Sequence, residues 1–162
     1  MNFKERHKVV HCFDSGVIAA NEDIFNGSPH SDVIHLDKYR ECTFFIIKNA
    51  GGTGTAVVMV DSCDDATPTT DTAVAFRYRK ISDPDTHGAW TTATSSGFTT
   101  AAEADVIYEI NIRADELNGT DEYVRLALDE DDGTAVDGAA FAILTDYRYG
   151  DSDPDTAGSD VD

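Results

Sequence analysis

The chain is 162 residues and 17.5 kDa, long enough for one domain with a real core and too short for a multidomain enzyme. Apolar residues make up 41% of it, which excludes wholesale disorder, and no apolar run approaches a bilayer-spanning length. Its 31 acidic residues against 12 basic ones give a formal net charge of −19 and a pI near 4.3, a balance that repels nucleic acid and anionic membranes.

The opening MNFKERHKVV puts Lys4, Arg6 and Lys8 within eight positions of an otherwise acidic chain. Such an arm fits an acidic partner as well as it fits a solvated terminus. Asp14 ends the apolar stretch before a signal-peptide core forms, so no export signal is expected. His7 and His11 stand four apart, yet Val9, Val10 and Phe13 around them read as strand, which takes the pair off any helical metal-binding face.

Strands are expected at 7–13 and 33–36. CTFFIIK, 42–48, is continuously apolar and rich in β-preferring types, the pattern of a central strand covered on both faces or lying at a subunit contact. The glycine-rich NAGGTG, 49–54, leads into TAVVMVDS, 55–62, and predicts a hairpin between the two strands. AVAFRYRKI, 73–81, alternates Val74, Phe76 and Tyr78 with Ala75, Arg77 and Arg79 and predicts one strand. VIYEINI, 106–112, sets Val106, Tyr108, Ile110 and Ile112 on one face, and EYVRLALD, 122–129, does the same with Val124, Leu126 and Leu128. GAAFAILT, 138–145, is a further largely buried run, and helix is limited to a turn near 101–105 or 115–117.

About eight strands with Gly, Asp, Asn and Thr between them predict an all-β antiparallel sandwich or jelly roll and exclude the βα alternation of nucleotide-binding folds. The expected organisation is an N-terminal arm with the first strand over 1–32, a sandwich core over 33–149 and an acidic flexible tail over 150–162. SDPDT occurs at 82–86 and 152–156, which Asp and Pro usage in turns explains without a structural repeat.

Chemistry-bearing motifs are sparse. Cys12, Cys42 and Cys63 are odd in number with no CxxC, so buried free thiols are expected. In DEDDGTAVDG, 129–138, Asp129, Asp131 and Asp132 weakly resemble a calcium loop, but no Glu stands at the twelfth position and the flanks read as strands. No GxSxG elbow is present, the glycines at 51, 52 and 54 precede Thr55 where a phosphate loop needs Lys, and no carboxylate pair stands out for glycoside chemistry. His87, beside Gly88 and Trp90, reads as a turn residue or a partner contact. The expectation is a non-enzymatic protein with no catalytic residue, no cofactor and no dedicated metal.

Several stretches together resemble a known family: SCDD-x-TPT at 62–69, the AxxFRYRK strand end at 75–80, the single Trp90, DEL-x-GTDEYVRL at 115–126 and the closing FAILTDYRY. They are similar to small structural proteins of tailed viruses, of the capsid decoration or cement type, and the likeness covers about 32–149. The resemblance implies a compact β-sandwich on the outer surface of the virion capsid, a homotrimer bound to the major capsid protein. It leaves open a tail, vertex-turret or head–tail connector component, and, from a different class, a host-surface carbohydrate-binding module that would stack sugars on Trp90. Asp outnumbers Glu 23 to 8 and Lys occurs five times, a balance that resembles extreme halophiles and points to a haloarchaeal tailed virus. Partners are then the major capsid protein and copies of the chain itself, with no nucleic acid and no membrane. Interface-enriched types nominate Arg77, Arg79, Trp90, Tyr147 and Tyr149 as assembly contacts, together with Lys4, Arg6 and Lys8 of the arm.

Overall fold

Alternation of apolar and polar side chains dominates the chain, and the computed structural model accordingly folds into two antiparallel sheets packed face to face; it describes residues 7–13, 23–49 and 52–148. The strands are β1 (His7–His11), β2 (Ile34–His35), β3 (Tyr39–Lys48), β4 (Ala56–Cys63), β5 (Asp71–Val74) and β6 (Phe76–Ser82). They are followed by β7 (Thr86–His87), β8 (Thr91–Ala93), β9 (Phe98–Thr99), β10 (Val106–Arg113), β11 (Tyr123–Glu130) and β12 (Gly138–Tyr147). Among the described residues, eight of these twelve strands have four residues or more, and a 3-10 turn falls at Ala114–Glu116.

The pairing is nested. β1 pairs with β12, β2 with β11, β3 with β10 and β4 with β5, every pair antiparallel. This is a long hairpin rolled up on itself, the jelly roll, with β1-β12-β3-β10 in one sheet and β2-β11-β4-β5 in the other. Residues 76–99 are an insertion between β5 and β10. Within it β6 extends the first sheet beyond β10 and carries β7 and β8, while β9 returns to pair with β4, which makes sheets of seven and five strands.

Between the sheets, Phe44, Ile46, Ile110 and Ile112 meet Val58, Val60, Leu126 and Leu128, all essentially buried. Each contributes about 1.5 to 3 kcal/mol of apolar transfer. Val10, Cys12, Phe13, Ile24 and Phe25 join the same core, so it reaches N-terminal of residue 33. The backbone ties them in, through Asp32 N–H to the Cys12 carbonyl and Ser31 N–H to the Leu126 carbonyl, each 2.8 Å. On the insertion side an aromatic cluster closes the sandwich: Tyr78 stacks on Phe98 at 3.7 Å, and Tyr108, 5.4 Å from Phe98, accepts a hydrogen bond at its hydroxyl from Ala101 N–H.

Two expectations of pairing are corrected. NAGGTG does not turn a hairpin, because β3 lies in the seven-stranded sheet and β4 in the five-stranded one. Both strands have a face to bury, and crossing between layers lets those faces meet instead of lying side by side. Lys48, 1% exposed at the end of β3, anchors the crossing by donating to the Gly54 and Ala101 carbonyls, both at 2.7 Å. Burial pushes its pKa down, against the pull of Asp132 and Glu103. A side chain at Gly54 would overlap the Thr134 carbonyl, which explains a glycine at that close approach. The second correction is that 73–81 is not one strand: the chain changes sheet at the exposed Ala75, with Val74 paired to Val60 and Phe76 to Ala93.

Candidate assembly surface

Strand alternation leaves each sheet an outer face, and the one on the seven-stranded sheet is built in rows that the register defines. Ile81, Ile107, Ile47 and Ala139 stand side by side in one row, and Arg79, Glu109, Phe45, Phe141 and His11 in the next. Arg77, Asn111, Thr43, Ile143 and Val9 form a third, and Arg113, Glu41, Thr145 and His7 a fourth. The apolar members of the first three rows adjoin one another around Phe45 and Phe141, whose half-buried rings stack at 5.0 Å, and reach Val9, 58% exposed.

Polar groups on this face are matched to one another. Arg79 donates to Glu109 at 2.6 Å and lies over the Trp90 ring, 4.6 Å from its centre, while Trp90 is itself 46% exposed. Arg77 donates to the Asn111 side-chain oxygen at 2.9 Å, and the Asn111 amide donates to Thr43 at 3.1 Å. At the border, Arg113 pairs with Asp115 at 3.1 Å and Arg40 with Asp146 at 3.5 Å, beside a cleft of about 260 Å³ that Arg148 also lines. These four rows hold two glutamates, three arginines and none of the 23 aspartates of the chain.

Of the residues nominated from sequence, the structure brings Arg77, Arg79 and Trp90 together here. Lys8 lies in the same sheet but on β1, in register with Leu144, with β12, β3 and β10 between it and β6. Tyr147 instead packs at the core rim, edge-on to Tyr39 at 5.4 Å. Lys4, Arg6 and Tyr149, and the tail 150–162, lie outside the described residues. Phe45 lies in the run read as covered on both faces or at a subunit contact, whereas Phe141, Ile143 and Val9 carry no such expectation for the outer face. The signal was present in CTFFIIK and GAAFAILT: runs too apolar for one buried face have a second one to place.

The three acidic loop residues diverge. Asp129 accepts from the Ser28 hydroxyl at 2.8 Å, Asp131 from the Thr55 hydroxyl at 3.2 Å, and Asp132 from the N–H groups of Thr134 and Thr55 at 3.0 and 3.2 Å. They hold loops to one another, and among the described residues no group of three or more His, Cys, Asp or Glu is placed to hold a metal ion. Cys12, Cys42 and Cys63 are buried free thiols; burial pushes Cys12 and Cys63 up to about 12, and Cys42 also well up, so none is a ready nucleophile at neutral pH. His87 sits exposed in β7 opposite Ile81, at the turn formed by the first SDPDT.

Compared with family models, curated proteins and solved structures, the chain has no significant match in any of the three.

Proposed function

We propose that this chain is a non-enzymatic structural protein of a virus particle, a capsid decoration protein that binds the outside of the major capsid lattice and stabilises it in high salt. The observation that carries the reading is the outer face of the seven-stranded sheet, apolar and internally charge-balanced on a chain of net charge −19. Adjoining half-buried apolar side chains on the outer face of a domain this acidic, with Val9 and Trp90 exposed among them, fit a protein that works by contact with other protein surfaces. A jelly roll adds the stiffness such a role needs, and the architecture is shared by viral capsid and lectin domains, which is support by analogy of fold.

Quantitative peptide mass spectrometry on particles purified in high salt tests the reading. The expected result is one copy per major capsid protein or a simple fraction of it. A handful of copies per particle moves the chain to the tail, connector or vertices. Absence from particles overturns the virion reading and makes binding to host envelope glycans the next measurement, with Trp90 as the stacking candidate.

A further inference from the structure

We infer that the outer face of the seven-stranded sheet is where a second copy of this chain docks, sheet against sheet. The inference rests on the reading of the chain as an assembling protein and names the partner of that one face. Charge selects the occupant. Two copies of net charge −19 repel wherever their acidic surfaces approach, and this face holds two glutamates and none of the aspartates. Nor does it present surplus positive charge to recruit an acidic partner: Arg79 is held by Glu109, Arg113 by Asp115, and Arg77 is turned onto Asn111. A neutral apolar face is best matched by another neutral apolar face, and a second copy brings one.

Size agrees. Five strands spaced about 4.8 Å apart, read over four rows, make a flat footprint of roughly 600 Å². With side chains standing out from it, that lies in the range of the ~800 Å² of accessible surface each partner gives to a standard interface. The same patch on both copies is an isologous contact and closes as a two-fold dimer, so the three-fold assembly implied by the family resemblance would need another surface.

The test is sedimentation velocity of the full chain from ~10 to ~200 µM in ~3 M KCl, where the Debye length has fallen to about 3 Å or less. A dimer is expected for the unmodified chain. Phe141→Glu, at the centre of the face, should weaken it by at least ~30-fold, as loss of a hot-spot residue does. Val9→Glu, at a site already 58% exposed and so harmless to the fold, should weaken it too. Asp129→Asn, on the other sheet, should leave it intact, and circular dichroism verifies that each variant is folded. A single-chain mass throughout, a trimer, or a dimer untouched by Val9→Glu overturns face-to-face docking. Copy number in particles is decided separately, so a dimer that is absent from particles refutes the virion role while this interface stands.

Discussion

The two outer faces of the sandwich have opposite chemistry. On the five-stranded sheet Arg125 lies between Asp61, 3.3 Å away, and Asp71, with His30 4.0 Å from Asp61 and His35 between Asp37 and Glu122 at 3.6 and 3.4 Å. On the seven-stranded sheet the middle is Phe45, Phe141 and a row of isoleucines. Both are β surfaces, so a general aversion of Asp for strands does not account for the difference: Asp61, Asp71 and Asp129 all sit in strands of the smaller sheet. Aspartate stands in the strands of the smaller sheet and is absent from the four outer rows of the larger one, where the acids are Glu41 and Glu109 alone.

The largest test of that contrast is salt. The melting temperature should rise by about 10 °C between ~0.1 and ~3 M KCl, equivalent to about 3 kcal/mol in a chain this long, as repulsion on the acidic side is screened. Equal melting in both would remove charge repulsion from the comparison. Next in size, Arg125→Met leaves Asp61, nearly buried, without its cation, and should cost about 2 kcal/mol in denaturant titrations of the single chain. Trp90→Ala on the opposite face should cost under ~1 kcal/mol, the cation–π contact with Arg79, and act instead on self-association. A loss of several kcal/mol would show Trp90 to be core despite its exposure. The smallest effect is at Asp132, whose carboxyl the Thr134 and Thr55 N–H groups hold below the usual range near pH 4. A lowered folded pKa stabilises above about pH 4 and loses that contribution as pH falls through it, so the gap in melting temperature between the chain and Asp132→Asn should be flat from pH 7 to about 4 and close below.

Much of this architecture is legible in the chain because period-two alternation reports which side chains share a face. VIYEINI and EYVRLALD place Ile110, Ile112, Leu126 and Leu128 in the core as their spacing predicts. The same signal carries nothing about which sheet a strand joins, and so NAGGTG reads as a hairpin and Ala75 as mid-strand. For the candidate surface, residue type alone marks Arg77, Arg79 and Trp90. Phe45 and Ile143 stay hidden inside continuous apolar runs until register sets Phe45 beside Glu109 and Ile143 beside Thr43. Tyr147, of the same interface-enriched type, packs at the core rim against Tyr39, a placement that residue type alone does not give.

The nesting of strands has a kinetic consequence. His7 pairs with Thr145, whereas β4 and β5 are joined by a short connection, so the loop that must close lengthens from the innermost hairpin to the outermost pair. Folding should therefore start at β4 and β5, proceed outward through β3 with β10, and finish when β12 and β1 dock, at the slow end of two-state rates. Until then β3 has an open edge and its apolar side chains are available to other chains. A newly made polypeptide is thus most prone to clump in the interval before its last strand arrives.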